Sequence, residues 1–108
     1  MTDKEPCHVE PVVKQVDQSA VKNAAVAFLA VSGMGCQSCA MRVRNGLLIL
    51  KGVYKAEIYL EDHLAEVTFN PQVHTPEDLL NAVAAAGNDG HHRYWGQLLQ
   101  VEPAQSAR

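Results

Sequence analysis

The sequence has little of what several classes of protein require. Nine lysine and arginine residues against twelve acidic residues give the 108-residue chain a formal net charge of -3, so it lacks the basic surface that neutralises nucleic-acid phosphates. The first apolar run, residues 24–31, is too short for a transmembrane helix. The N-terminus lacks the pattern of a secretory signal. These absences predict a cytoplasmic protein with no nucleic-acid partner and no direct membrane insertion.

Cysteine is also scarce. The three cysteines are an odd number, which fits a closed disulfide framework poorly and favours thiols kept reduced for metal or redox chemistry. The apolar fraction of 47% and the charged fraction of 19% are ordinary for a globular protein. A length of 108 residues suits one domain, and no second copy of any unit is visible.

The first half of the sequence predicts a strand, a loop and a helix. Residues 24–31 are small and apolar and stop at a Ser-Gly pair, which is typical of a partly buried strand. Residues 33–39 are polar and contain glycine, which indicates a loop. Apolar side chains then recur at helical spacing over residues 40–50. A lysine followed by Gly52 predicts the end of this helix.

The second half predicts a hairpin, a helix and a strand. Apolar and polar residues alternate over residues 53–60 and again over 65–69, with a polar turn between them. Thr75, followed by proline and two carboxylates, predicts a helix start, and Gly87 is predicted to end that helix in a left-handed conformation. A weaker apolar stretch over residues 93–101 predicts the last strand.

The predicted order is strand, helix, strand, strand, helix, strand. This order is typical of a ferredoxin-like α+β fold, in which a four-stranded antiparallel sheet carries two helices on one face. The domain is predicted to span residues 24–102. Residues 1–23 are expected to form a flexible N-terminal tail and residues 103–108 a short C-terminal tail.

Two cysteines carry the chemistry that the sequence suggests. Cys36 and Cys39 are separated by two residues, so both sulfurs can face one centre where the loop becomes a helix. The first turn of a helix stabilises a thiolate and lowers the pKa of Cys39, while Cys36 lies in the exposed loop. Two thiolates with no obvious third ligand suit Cu(I) better than Zn(II), which usually takes four ligands. Zn(II), Hg(II) and other soft ions remain alternatives.

The loop over residues 33–39, with the sequence GMGCQSC, closely resembles the G-M-x-C-x-x-C signature of the heavy-metal-associated domain family. That family includes copper chaperones, amino-terminal domains of copper-transporting P-type ATPases and mercuric-ion-binding proteins. The similarity covers roughly residues 25–101. The resemblance implies the ferredoxin-like fold and metal binding through Cys36 and Cys39. It also implies that Met34 packs beneath the loop as support and is not a ligand.

The chain departs from the family pattern at two places. Gly35 stands where the family commonly has threonine, and its conformational freedom should loosen the loop. After the second helix the family often has glycine followed by an aromatic residue or a lysine that shapes the surroundings of the metal. Here residues 88–92 follow Gly87 and end in two histidines.

Four residues outside the motif are candidate auxiliary ligands. His91 and His92 belong to a loop predicted at the same end of the sheet as the cysteines, where they could reach the metal. The alternative is a pair of solvated loop histidines. Cys7 and His8 lie in the predicted tail, which could fold back and offer ligands, whereas an unfixed tail cysteine is more often inert.

The function predicted from this pattern is a metallochaperone or metal-binding module, not an enzyme. Cys36 would release or accept the ion first, and transfer would proceed by ligand exchange with a partner protein, for which the resemblance implies the metal-binding domain of a P-type ATPase. The chain is expected to be a monomer or a metal-bridged dimer. Two alternatives are a thiol-disulfide redox protein, with Cys36 as the attacking thiolate, and a metal-sensing domain associated with a transporter.

A basic set of side chains lies on or beside the first predicted helix. These residues are either part of a solvated helix face or a patch that docks on an acidic partner and speeds encounter. The set consists of Arg42, Arg44, Lys51 and Lys55.

Overall fold

The computed structural model describes residues 10–13, 23–87 and 93–103. Within them the chain forms β1 (Ala25–Ser32), α1 (Gln37–Leu48), β2 (Val53–Tyr59), β3 (Leu64–Phe69), α2 (Pro76–Ala86) and β4 (Trp95–Pro103). A single 3-10 turn, Leu60–Asp62, joins β2 to β3. No helix in this part of the chain is long and apolar enough to span a bilayer. The predicted strand and helix order is confirmed.

The four strands form one antiparallel sheet in the order β2-β3-β1-β4. The chain order β1-α1-β2-β3-α2-β4 places β1 and β3 in the centre, as a ferredoxin-like fold requires. Alternate residues of β1, including Leu29 and Val31, are buried and share one core with residues of both helices. Both helices therefore cover the same face of the sheet, and the predicted fold class is confirmed.

The core is filled by branched aliphatic side chains and one phenylalanine. They come from both helices and from three of the strands, which ties the two layers together. The largest fully buried side chains are Leu29, Val31, Val43, Leu47, Val53, Val67, Phe69, Leu79 and Val83.

The helix starts follow the sequence more closely than the helix ends. Thr75 caps α2: its hydroxyl oxygen accepts a hydrogen bond from the Asp78 N–H at 3.4 Å, and the Asp78 carboxylate accepts one from the Thr75 N–H at 3.0 Å. This reciprocal pair satisfies two N–H groups at the start of the helix. The predicted start of α2 is confirmed.

The predicted end of α1 is wrong by about one turn. The helix ends at Leu48, and the Ile49 N–H donates to the Asn45 carbonyl oxygen. Gly52 does adopt a left-handed conformation, with φ of 95°, but it does so in the turn that leads into β2. Its role is therefore to direct the chain into β2 and not to cap α1.

The predicted conformation of Gly87 is also wrong. Its φ of -106° lies outside the left-handed region. Glycine is needed here for space, because a Cβ atom at this position would lie 2.6 Å from Cδ2 of Tyr94.

Residues 10–13 lie against α1. Val12 packs at the edge of the core, and Asn45 of α1 bonds to the backbone of Glu10 and Val12. The tail boundaries at residues 23 and 103 stay predictions.

Two leucine-to-alanine variants test whether burial in the core determines how much a side chain contributes to the free energy of unfolding. Leu29 of β1 is fully buried and Leu99 of β4 is 56% exposed. Leu29→Ala should lower the free energy of unfolding by about 3 kcal/mol, because it removes buried methyl groups and leaves a cavity, whereas Leu99→Ala should change it by less than about 0.5 kcal/mol. Urea denaturation followed by circular dichroism measures both. Equal losses would contradict this placement of the core.

Candidate metal centre

The two motif cysteines occupy the start of α1. Cys36 is the residue that caps the helix, with an extended backbone of φ -161° and ψ 174°, and its carbonyl oxygen accepts the Ala40 N–H at 3.1 Å. Cys39 lies in the first turn. That turn contains no acidic residue, so no carboxylate competes with a thiolate for the positive end of the helix dipole.

The two sulfurs face each other but differ in exposure. Their Sγ atoms are 3.5 Å apart, and both thiols are free. Cys36 is exposed to solvent, whereas Cys39 is only 4% exposed. The separation exceeds the S–S bond of about 2.05 Å in a disulfide. It is short enough for one ion with metal-sulfur bonds of about 2.3 Å to contact both atoms.

The environment of Cys39 favours its thiolate. Burial raises the pKa of the Cys39 thiol, but the Tyr94 side chain, the Gly35 backbone, and the side chain and backbone of Cys36 favour the thiolate, outweigh burial and lower this pKa to about 7. Metal ions bind the thiolate, so protons compete less with a metal at such a cysteine.

Tyr94 is the functional residue that the sequence analysis missed. Its side chain is 2% exposed, and its hydroxyl, on the segment just before β4, is the strongest of the influences that lower the pKa of Cys39. The sequence analysis placed Tyr94 only in the apolar stretch of the last strand. The family pattern of glycine followed by an aromatic residue after the second helix contained the signal, but residues 88–93 separate Gly87 from Tyr94.

Two glycines make room for this tyrosine. A Cβ atom on Gly33 would collide with the Arg93 carbonyl oxygen and would lie 3.2 Å from Cδ1 of Tyr94. A Cβ atom on Gly87 would meet the other side of the ring. Gly33 also has φ of 100°, a conformation that L side chains rarely adopt. The ring is therefore fixed between the start of the cysteine loop and the end of α2.

Two other residues of the loop differ in burial. Met34 is buried within the core, where a supporting side chain belongs. Gly35 is exposed, and a Cβ atom there would meet nothing within 4 Å. Space therefore does not explain why glycine replaces the threonine that is common in the family.

The proposed auxiliary ligands cannot be placed. His91, His92, Cys7 and His8 lie outside the described residues. Across residues 10–13, 23–87 and 93–103, no group of three or more His, Cys, Asp or Glu side chains is arranged to hold a metal. In this part of the chain the site therefore consists of two sulfurs.

The model of the heavy-metal-associated domain matches residues 28–89. The chain belongs to the heavy-metal-associated domain family. The resemblance drawn from the cysteine loop is thereby confirmed for more than half of the chain, and the ferredoxin-like fold agrees with it.

Two relatives place the domain among proteins named for copper transport. It is 32% identical over 79 residues to copper-transporting ATPase HMA4 of Oryza sativa subsp. japonica, covering 73% of this chain and 8% of the relative. It is 36% identical over 63 residues to human copper-transporting ATPase 2, covering 58% of this chain and 4% of the relative. The chain thus matches less than a tenth of the length of either ATPase.

Solved domains of similar size are covered by this chain over almost their full length. A copper binding domain from the P-type ATPase HMA7 superimposes with a TM-score of 0.65 at 28% identity, covering 72% of this chain and 97% of that domain. The yeast copper transporter domain CCC2A, solved in apo and Cu(I)-loaded states, has a TM-score of 0.61 at 26% identity, with 70% and 96% covered. This heavy-metal-associated domain is therefore homologous to metal-binding domains of copper ATPases.

The hydroxyl of Tyr94 should control the reactivity of Cys39. Tyr94→Phe removes the hydroxyl that favours the thiolate and should raise the pKa of Cys39 by about one pH unit. The rate of iodoacetamide alkylation against pH measures this in a Cys7→Ser, Cys36→Ser background, where Cys39 is the one remaining thiol.

Tyr59→Phe is the matched control for that experiment. Its hydroxyl donates to Glu66 at 3.1 Å on the exposed side of the sheet, so its loss should leave the alkylation profile of Cys39 unchanged. An unchanged profile in Tyr94→Phe as well would refute the role assigned to Tyr94.

Proposed function

We propose that this domain binds Cu(I) through Cys36 and Cys39 and passes the ion to a partner protein by ligand exchange. The observation that carries the proposal is the pair of sulfurs 3.5 Å apart at the start of α1, one buried with a lowered pKa and one exposed. The copper-related names of the homologues support copper as the ion.

The donor set favours copper over zinc. Cu(I) is a soft ion that thiolates bind well at low coordination number, whereas structural Zn(II) usually takes four ligands. The described part of the chain offers two sulfurs and no third clustered donor. Hg(II) is also soft and shares this preference for sulfur, so it is the main competing ion.

The unequal exposure of the two sulfurs suits transfer. A thiolate from a partner can approach the ion on the side of Cys36, which faces solvent. Cys39 is buried and retains the ion while the bond between the ion and Cys36 is exchanged. At no step does the ion need to leave sulfur ligands, and the domain performs no covalent catalysis.

The partner is proposed to be a protein that donates or accepts the same ion, such as the metal-binding domain of a P-type ATPase. The domain itself is proposed to span residues 24–102. A sensing role attached to a transporter would use the same site. A thiol-disulfide redox role receives less support, because the family to which the chain belongs is defined by metal association.

Copper affinity should depend on both motif cysteines. Competition with the Cu(I) chelator bicinchoninate, in the absence of oxygen, should show that Cys36→Ser combined with Cys39→Ser weakens Cu(I) binding by more than about a hundredfold. Removing a group that only orients a metal ligand typically lowers metal affinity by about 10–100-fold. Removing both ligands should therefore lower it by more.

Cys7→Ser is the control, because it also removes a thiol but leaves the motif intact. It should retain the parent affinity. If the double variant bound Cu(I) as tightly as the parent, the proposed site would be wrong, and a loss in Cys7→Ser would assign a ligand to the N-terminal segment.

His91→Ala combined with His92→Ala should leave Cu(I) affinity within about twofold of the parent, because two thiolates complete a low-coordinate Cu(I) site. The same chelator competition between pH 5.5 and 8 measures this. If the histidines do bind the ion, the double variant will lose affinity above about pH 6.5, where imidazole is neutral, and will match the parent below it.

A further inference from the structure

Residues 10–13, called the strap here, contact α1 mainly through their backbone. The Asn45 carboxamide binds the strap twice: Oδ1 accepts the Val12 N–H at 2.8 Å, and Nδ2 donates to the Glu10 carbonyl oxygen at 2.7 Å. Nη1 of Arg44 donates to the Val12 carbonyl oxygen at 3.2 Å. Because these bonds end on main-chain atoms, α1 contacts the backbone of the strap and not particular polar side chains.

One side chain of the strap also contributes. Val12 is partly buried against the core, whereas Val13, the next residue, is 87% exposed. Pro11 precedes Val12 and fixes its own φ, which reduces the entropy lost when the strap is ordered. The strap is therefore held against α1 by the side chain of Val12 and by the hydrogen bonds of the Glu10 and Val12 backbone.

The strap holds Arg44 in one position. The guanidinium Nη1 that bonds to Val12 also donates to Oδ1 of Asn45 at 3.2 Å. Arg44, like Arg42, belongs to the part of the basic set that lies on α1. It follows Cys36 by eight residues, which at a rise of 1.5 Å each places it about 12 Å along the helix. Its charge is thus directed at a carbonyl oxygen of the same chain.

A groove leads from Arg44 toward the metal centre. It has a volume of about 150 Å³ and is lined along α1 by Gln37, Met41 and Arg44, and along β2 by Glu57 and Ile58. Gln37 directly follows Cys36. A protein that brings its own thiolates to Cys36 along this groove would meet Arg44 at the other end.

We propose that the strap is an autoinhibitory contact that competes for Nη1 of Arg44 with the carboxylates of a protein that exchanges metal with Cys36. The identity of that partner rests on the proposed function; the opening of the strap involves no metal. A carboxylate forms a stronger, bidentate pair with arginine than a single carbonyl oxygen does. An acidic surface therefore competes with the strap, and a neutral surface does not.

The strap contact is weak enough to open. The net gain from a few partly exposed hydrogen bonds is similar in size to the entropy lost by ordering four residues. The closed contact is therefore only marginally favourable, so an acidic competitor can displace it.

The first test is hydrogen exchange on the full chain, reduced and free of metal. The Val12 amide should exchange more slowly than an unprotected amide, and Asn45→Ala should speed its exchange by about tenfold. Alanine is the better helix former, so α1 should persist, and slow exchange of the buried Val43 amide verifies that it does. Asn81→Ala, on the exposed side of α2, is the matched control and should leave Val12 unchanged.

The second test uses tetraglutamate as a model acidic surface. The peptide should bind Asn45→Ala several-fold more tightly than the parent, because no strap population has to be displaced, and Arg44→Ala should abolish that difference. Equal affinities, or a Val12 amide already unprotected in the parent, would overturn the proposal. Since no copper is present, such a failure would leave the Cys36 and Cys39 assignment untouched, and failure of the chelator competition would leave the strap untouched.

Discussion

The influence of the buried Tyr94 hydroxyl on the Cys39 thiol links the segment before the last strand to the first turn of α1. Without it, only Gly35 and Cys36 would oppose the effect of burial, which raises the pKa of Cys39. The ring can reach this place only because Gly33 and Gly87 have no side chains. The cysteine loop, the end of α2 and the entry to β4 therefore all depend on this one contact.

The two cysteines divide the chemistry between them because their surroundings differ. Cys39 is fixed by the helix, the backbone of Gly35 and the tyrosine, while Cys36 remains at the surface. Proposed transfer needs both properties: one sulfur that holds and one that exchanges. On the same helix, Asn45 and Arg44 engage the strap, so α1 combines the proposed ion site with a surface that the chain itself covers.

The fold was predictable from the sequence because its signals are local. The alternation in β2 and β3 and the cap at Thr75 each lie within a few residues, and the structure confirms them. The errors arise where distant segments meet. Gly87 is not left-handed because its role is to admit Tyr94, and no local pattern reveals that contact. The strap was equally hidden, since Asn45 binds main-chain atoms, which every sequence provides.

The distance along the chain between Cys39 and Tyr94 has a consequence for how the domain is made. During synthesis the cysteine loop leaves the ribosome more than fifty residues before Tyr94 does. Until then the thiol of Cys39 lacks the side chain that does most to lower its pKa. A nascent chain thus carries the complete cysteine motif but not yet the environment that lowers the pKa of Cys39, and that environment forms only when β4 is added to the sheet.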